Sequence, residues 1–180
     1  MTLAQLDRQA LLLIQRYRPK PLNLIFILFT YSGTSKSWVV AAVLFNILHY
    51  LGIHYVEYQV GFLRALFSPL LAWFLSSLLK KHFSRKRPSS IADGLLPLIQ
   101  TPGCGSFPSG HAASTFAFFF ALLFISHPLA PWVGLWAALV SFSRAYLGVH
   151  YLSDLVAGMA GGFFSRALMS FALTVIYQEE

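Results

Sequence analysis

Long runs of hydrophobic positions, interrupted by short polar stretches, dominate the chain. Apolar segments occupy residues 22–32, 37–53, 58–79, 111–126, 129–147 and 151–177. A helix that crosses a bilayer needs about 20 mostly apolar residues. The first segment falls short of that length, and the other boundaries are soft by a few residues. The pattern predicts an all-α, integral-membrane bundle of about six transmembrane helices.

The N-terminal residues show a different, amphipathic pattern. Between residues 3 and 18 the apolar side chains recur at helical spacing, with the charges largely on other positions. We predict a helix within residues 1–20. Two placements fit this pattern equally well, one in the membrane interface and one packed on the bundle.

Residues 84–110 form the longest polar stretch and are rich in proline and glycine. Connections of this length are often functional, so we predict an active-site loop here within a single domain, residues 1–180. Its segment Leu95–Ile99 fits either an insertion into the interface or a cap on the bundle. In the last apolar segment, Gly158 and Gly162 form a G-x-x-x-G pair that predicts close helix packing.

Composition supports a membrane protein and narrows the choice of ligand. Hydrophobic residues make up 57% of the chain and charged residues only 11%, which is too apolar for a soluble domain. The net charge of +7 comes largely from clusters at 16–20 and 80–87, each beside an apolar run. Anionic headgroups or a phosphate substrate explain these clusters better than nucleic acid. The single cysteine, Cys104, excludes an intrachain disulfide.

Ionisable residues stand at the ends of four of the apolar segments. In a bundle of alternating helices, the end of segment three, the start of four, the end of five and the start of six share one membrane face. Lys80, His111, Arg144 and the pair His150 and Asp154 occupy these four places. Ionisable groups at membrane depth are costly and usually functional, so we expect a site on this face, which we call the motif face.

Two of these places carry phosphate-binding chemistry. Lys80 offers a mobile point charge and Arg87 a planar fork of donors. Taken in isolation, these residues are better explained as a basic collar at the headgroups. In Pro108-Ser109-Gly110-His111, the glycine permits close approach of a ligand. Ser109 and the first free N–H groups of a helix would point donors at an anion, and a plain N-cap is the alternative.

The third place carries a possible nucleophile. His150 and Asp154 are four residues apart and face the same way on a helix, so the carboxylate can orient the imidazole and stabilise positive charge on it. Arg144 adds a cation. Taken alone, the His-Asp pair fits an ordinary ion pair at a helix start.

Together the three motifs resemble the type 2 phosphatidic acid phosphatase family, with its signature K-x6-RP, PSGH and SR-x5-H-x3-D. The sequence matches at Lys80 to Arg87-Pro88, at Pro108 to His111, and at Ser143-Arg144 to His150 to Asp154. The likeness covers about residues 58 to 160. It implies a phosphohistidine mechanism in which His150 attacks, Asp154 orients it, and His111 protonates the leaving oxygen and then activates water. It also implies that Lys80, Arg87, Ser109, Gly110 and Arg144 hold the phosphoryl group.

The acidic residues argue against a two-metal mechanism. Two-metal phosphoryl transfer usually needs several convergent carboxylates. The alternating topology puts Asp7, Glu57, Glu179 and Glu180 away from the motif face and leaves Asp154 and Asp93 near it. We therefore expect no metal and no cofactor.

The expected substrate is a lipid phosphate or polyprenyl diphosphate, held at headgroup level beside the bilayer. Undecaprenyl diphosphate, phosphatidylglycerophosphate and phosphatidic acid all fit. A lipid phosphotransferase and a non-catalytic lipid-binding protein are the alternatives. Lys36 is a further candidate for the motif face. Resemblance to bacterial relatives implies an inner-membrane protein with cytoplasmic termini and an outward-facing site.

Overall fold

A computed structural model of the chain describes residues 1–34, 36–38, 40, 47, 59–88, 95–101, 103 and 105–178. Six helices can be given bounds in this part: α1 Leu3–Arg16, α2 Pro21–Ser32, α3 Gln59–Phe83, α4 Gly110–Phe124, α5 Ala130–Tyr146 and α6 Leu152–Gln178. No strand occurs among the described residues, which confirms the all-α class there. Most of the predicted second segment lies outside them.

Two helices are long and apolar enough to cross a membrane, through their segments Leu63–Phe83 and Leu152–Ile176. By contrast, α2 has 12 residues. At 1.5 Å per residue it is about 18 Å long, well short of a hydrocarbon core of about 30 Å. The count of six spanning helices therefore stays a prediction.

Helix α4 packs against α3, α5 and α6 and forms the centre of the bundle. Small residues allow this, since Ala72, Ala113 and Ala117 form a buried cluster between α3 and α4. A Cβ atom at Gly158 would lie 2.6 Å from the Ser109 carbonyl oxygen, and one at Gly162 would lie 2.6 Å from that of Ala113. The predicted packing role of both glycines is confirmed, because only hydrogen fits between these backbones.

Helix α1 and the start of α2 lie at the end of the bundle that carries the three motifs, which we call the motif end. The Tyr146 hydroxyl donates to Asn23 Oδ1 at 2.9 Å and to the Pro19 carbonyl at 3.0 Å, so α2 begins beside the end of α5. Leu11 of α1 is fully buried in a cluster with Leu95, Ala145, Tyr151 and Leu155. The expectation that the N-terminal segment lies on the face opposite the motifs is therefore wrong.

These contacts bear on two alternatives that the sequence leaves open. One face of α1, with Asp7 and Leu11, packs on the bundle, while Leu3, Leu6 and Leu13 of the same helix stay exposed. The loop segment at 95–99 caps the bundle, because the Leu98 N–H donates to the Leu147 carbonyl at 3.1 Å and Leu95 is buried. Both segments thus close the end of the bundle at which the motifs meet.

Candidate active site

The loop after α3 carries a buried arginine into the bundle. Pro88 disfavours helix at the preceding residue, which releases Arg87 from α3. Its Nη1 donates to the Val149 carbonyl at 2.9 Å and its Nη2 to that of Gly105 at 3.3 Å. Nη1 also lies 3.3 Å from His150 Nε2. The guanidinium therefore joins the loop, the turn before α6 and the imidazole.

His150 and Asp154 form the predicted pair at the start of α6. His150 Nδ1 lies 3.3 Å from Asp154 Oδ2, and both side chains are buried. The same carboxylate oxygen accepts the Tyr151 N–H at 3.0 Å, which fixes its direction. With Asp154 ionised, Nδ1 is the donor, and the lone pair of Nε2 then points toward Arg87.

The electrostatic surroundings keep this imidazole neutral. Burial lowers the pKa of His150 well below its usual 6.5, and the positive charges of Arg144, Arg87 and Lys80 lower it further. A neutral ring keeps the lone pair that a nucleophile needs.

The start of α4 faces this pair. Ser109 caps the helix, since its Oγ accepts the Ala112 N–H at 3.4 Å, and its own N–H donates to the Asp154 carbonyl at 3.0 Å. A Cβ atom at Gly110 would lie 3.6 Å from Lys80 Nζ, so the end of α3 meets the first turn of α4. An ammonium group thus stands beside free helix N–H groups, an arrangement suited to an anion.

His111 and Arg144 complete the convergence. Buried His111 Nε2 and Arg144 Nε have no hydrogen-bond partner within the described part of the chain, whereas Arg144 Nη1 donates to Thr30 Oγ1 at 2.8 Å. Buried polar atoms without partners are rare and call for an explanation. All eight residues predicted from the sequence therefore meet at one end of the bundle: Lys80, Arg87, Ser109, Gly110, His111, Arg144, His150 and Asp154.

Four residues at the site were not predicted. Arg85 Nη1 donates to Asp154 Oδ1 at 2.7 Å, and its Nη2 donates to Asp7 Oδ2 at 2.8 Å. Ser153 donates to Asp7 through both its N–H and its hydroxyl. The expected position of Asp7 away from the motif face is thus wrong, because α1 folds back onto that end. Asp7, the one acidic residue of α1, and Thr30 in an apolar run were the available signals.

The other histidines lie elsewhere or outside the described residues. His82 is exposed, with its ring against Phe83. His127 Nδ1 accepts the Leu129 N–H in the turn between α4 and α5, at the opposite end of the bundle. Cys104, Asp93, Glu57, Glu179 and Glu180, to which the sequence predictions refer, lie outside the described residues, as do the remaining histidines, His49 and His54.

A sequence profile of the PAP2 superfamily matches residues 61–176, which contain all three motifs. The chain belongs to the PAP2 superfamily. It is 40% identical over 96 residues to a lipid A 4'-phosphatase of Bacteroides thetaiotaomicron, covering 49% of this chain and 43% of the relative. It is also 40% identical over 116 residues to a lipid A 1-phosphatase of Rhizobium etli, covering 58% and 45%. The aligned part is less than half the length of these relatives.

Two solved structures share the fold. The crystal structure of Aquifex aeolicus LpxE superposes with a TM-score of 0.65 at 26% identity, covering 89% of this chain and 92% of that one. A transmembrane PAP2 type phosphatidylglycerolphosphate phosphatase from Bacillus subtilis gives 0.67 at 24% identity, covering 99% and 88%. These likenesses extend the PAP2 fold beyond the motif region to the N-terminal helices.

Proposed function

We propose that the protein is a membrane lipid phosphatase that works through a phosphohistidine intermediate. The observation that carries the proposal is the His150 pair. Its Nδ1 faces Asp154 Oδ2 at 3.3 Å, while Nε2 faces the Arg87 side chain among several cations. A buried, oriented and neutral imidazole in a cationic pocket is suited to attack on a phosphorus atom.

In the proposed reaction, His150 Nε2 forms a bond to phosphorus as the bond to the leaving oxygen breaks. Protonated His111 gives its proton to that oxygen. Asp154 holds the ring through Nδ1–H and stabilises the positive charge that develops on it. Water then attacks the phosphohistidine, His111 takes a proton from that water, and phosphate departs as His150 is restored.

The remaining predicted residues form the phosphate cradle in this proposal. Arg87 and Arg144 offer guanidinium donors, and Lys80 adds its charge beside Gly110 and the capped start of α4. Charge spread over three equatorial oxygens is best stabilised by such preorganised donors. The unpartnered Arg144 Nε and His111 Nε2 support this, because a bound phosphoryl group and its leaving oxygen would satisfy both.

We further propose that the chemistry needs no metal. Asp7 and Asp154 are the acidic side chains that the described residues bring to the site, and the Arg85 guanidinium bridges them. Within the described part of the chain, no three potential metal ligands of the His, Cys, Asp or Glu type converge. Arginine and lysine would then neutralise the phosphoryl charge that metal ions neutralise elsewhere.

We infer the substrate class from the family and from the position of the site. The curated relatives are lipid A phosphatases, which adds lipid A to the candidates undecaprenyl diphosphate, phosphatidylglycerophosphate and phosphatidic acid. A phosphotransferase would use the same site with a lipid acceptor in place of water. A non-catalytic lipid-binding protein is disfavoured, because the proposed nucleophile, its carboxylate and the proposed acid are all present and oriented.

We propose a single domain spanning residues 1–180, placed in a bacterial inner membrane with the site facing outward. The exposed leucines of α1 would lie in the interface at the same surface, so α1 would pack on the bundle and contact lipid at once. Reporter fusions at the two termini test this, because the N-terminus should lie on the side of the site.

The test of function is phosphate release by the purified protein in vesicles with EDTA, across the four lipids named above. His150→Ala should abolish release, and His82→Ala, a matched change at an exposed histidine, should retain it. Trapping of a 32P-labelled protein that is stable to alkali and labile to acid would support the phosphohistidine. Full activity in His150→Ala contradicts the proposal, and mass spectrometry of the products separates hydrolysis from transfer to a lipid.

A further inference from the structure

A cavity of about 370 Å³ opens beside the proposed proton donor. Its lining comprises Tyr31, Gly33, Thr34, Lys36, Trp73, Gly110 and His111. A Cβ atom at Gly33 would lie 3.5 Å from His111 Cδ2 and 2.5 Å from Val140 Cγ1. The end of α2 can approach α4 and α5 this closely only because residue 33 is glycine. The cavity is therefore continuous with the cradle, and one of its walls is formed by Tyr31, Gly33, Thr34 and Lys36.

The cavity extends from the cradle toward the bilayer. Trp73 precedes Lys80 by seven residues in α3 and so lies about 10 Å further from the motif end. Tyr31 and Trp73 are exposed at its rim. If His111 protonates the leaving oxygen, the departing part of the substrate occupies this cavity, since His111 is shared by the cavity and the cradle.

The residues after α2 place a lysine in this wall. The Ser37 hydroxyl contacts the Tyr31 carbonyl at 3.0 Å and the Thr34 hydroxyl at 3.1 Å, which holds the turn closed around the cavity. Lys36 lies within this turn and lines the cavity. A cation on the leaving-group side has no partner in a neutral diacylglycerol or sugar, but it matches an anionic leaving group.

We propose that Lys36, with the Tyr31 hydroxyl, binds a second phosphate on the leaving part of the substrate. This inference rests on the proposed phosphatase function and deepens it. The preferred substrates are then lipids whose scissile phosphate stands near another phosphate. The neighbour is either directly bonded, as in a lipid diphosphate, or separated by a glycerol unit, as in phosphatidylglycerophosphate.

The test compares lipids with identical tails in phosphatidylcholine vesicles: dioleoylglycerol diphosphate, dioleoyl phosphatidylglycerophosphate and dioleoyl phosphatidic acid. For each two-phosphate lipid, the readout is its kcat/KM divided by that of phosphatidic acid. Lys36→Met should lower this ratio about tenfold for one of the two, which identifies the spacing. Lys36→Arg should keep the ratio within threefold of the wild type. Lys20→Met, a lysine change at the exposed start of α2, is the matched control.

Each other outcome overturns the proposal. If the kcat/KM ratio is unchanged in Lys36→Met, Lys36 does not bind a second phosphate in the cavity. The phosphatase function is unaffected by that result. A loss shared equally by all three lipids and by Lys20→Met means that these lysines anchor the protein to headgroups. Absence of phosphate release from every lipid by the wild type removes both this inference and the function on which it rests.

A second inference rests on the separate contacts of Asp7. The Arg85 guanidinium lies between Asp7 at 2.8 Å and Asp154 at 2.7 Å. Asp7 lies on the buried face of α1. Arg85 thus divides its positive charge between two carboxylates, and the three groups together carry one net negative charge beside His150. Without Asp7 the net charge is zero, and Asp154 stabilises a positive imidazole less well.

The geometry assigns Asp7 as a positioning residue that acts on His150 through Arg85 and Asp154. Asp7→Asn keeps the size of the side chain and removes its charge. We expect kcat to fall about tenfold while KM stays within twofold, because Asp7 does not touch the cradle. Arg8→Gln, which removes a neighbouring charge on the same helix, is the control and should keep kcat within twofold. The assignment is overturned if kcat of Asp7→Asn stays within twofold of the wild type. It is also overturned if kcat falls only in proportion to the fraction of protein that is folded.

Discussion

The seam between α4 and α6 is the place where packing and chemistry are most tightly joined, and Gly158→Ala probes it. The added methyl would lie 2.6 Å from the Ser109 carbonyl oxygen, 2.8 Å from Ala112 Cβ and 3.2 Å from the Ala113 nitrogen. Two of these neighbours are backbone atoms, so no side chain can rotate away. The helices must separate by about 0.8 Å to restore ordinary contact.

The expected loss of stability from this clash can be measured by comparison with a second alanine variant on the same helix. Gly161→Ala places its methyl in open space among the described residues, with nothing within 4 Å. Both variants gain the same helix propensity, about 1 kcal/mol, so it cancels in their comparison. What remains is the overpacking term, about 1–3 kcal/mol. For a chain of this size this corresponds to a Tm about 2–12 °C lower for Gly158→Ala than for Gly161→Ala.

Activity should fall with stability in Gly158→Ala, because the seam also carries the Ser109 N–H to Asp154 carbonyl bond, one helical turn from Gly158. A displacement of about 1 Å at a reacting group costs up to about 100-fold in rate. We expect at least a tenfold loss of kcat/KM for phosphatidic acid at a temperature where the variant is folded. Thermal unfolding in detergent and phosphate release measure the two effects. Equal Tm and equal activity in the two alanine variants would refute the packing argument.

Three further predictions concern the site. Because burial and three cations hold the pKa of His150 well below 6.5, the nucleophile stays unprotonated down to below that pH, and the acidic limb of kcat/KM due to His150 should lie below pH 6.5. The unfolded chain binds this proton more readily, so thermal stability should also decline as the pH falls below about 6.5. The Thr30 hydroxyl accepts from both Arg144 Nη1 and the Ser143 hydroxyl. Thr30→Val removes this acceptor and should raise KM several-fold in steady-state kinetics. It should also lower Tm, because a buried donor left without a partner costs about 1–3 kcal/mol. Arg87→Lys keeps the charge but loses the fork that contacts Val149 and Gly105, so kcat/KM should fall about 100-fold, and an activity within threefold of wild type would contradict that role.

The motif residues were predictable because their spacing is local and their chemistry is specific. His150 and Asp154 are one turn apart, so a helix start suffices to bring them together. The alternation of apolar segments predicted that Lys80, His111 and Arg144 lie at the same end of the bundle. The structure confirms that these three residues lie there together. Their catalytic roles remain proposals. Gly158 and Gly162 were predicted as packing residues for the same local reason.

Helices α1 and α2 could not be placed by the same reasoning. An apolar run indicates that a segment prefers lipid or the protein core. It does not indicate at which end of the bundle the segment lies. Treating 22–32 as a full crossing put Asp7 on the wrong side. The short α2 and the contacts of Tyr146 with Pro19 and Asn23 bring α1 to the motif end instead.

The sequence by itself therefore determined the class of protein, the eight residues proposed for the site and the end of the bundle at which those residues meet, because periodicity and motif spacing are properties of the chain. Only the tertiary structure decided what surrounds them. Asp7 reaches Asp154 through Arg85 across most of the chain length, and Lys36 and Tyr31 join His111 around one cavity. Such contacts depend on how helices of different lengths pack against one another. A local sequence pattern does not predict this packing.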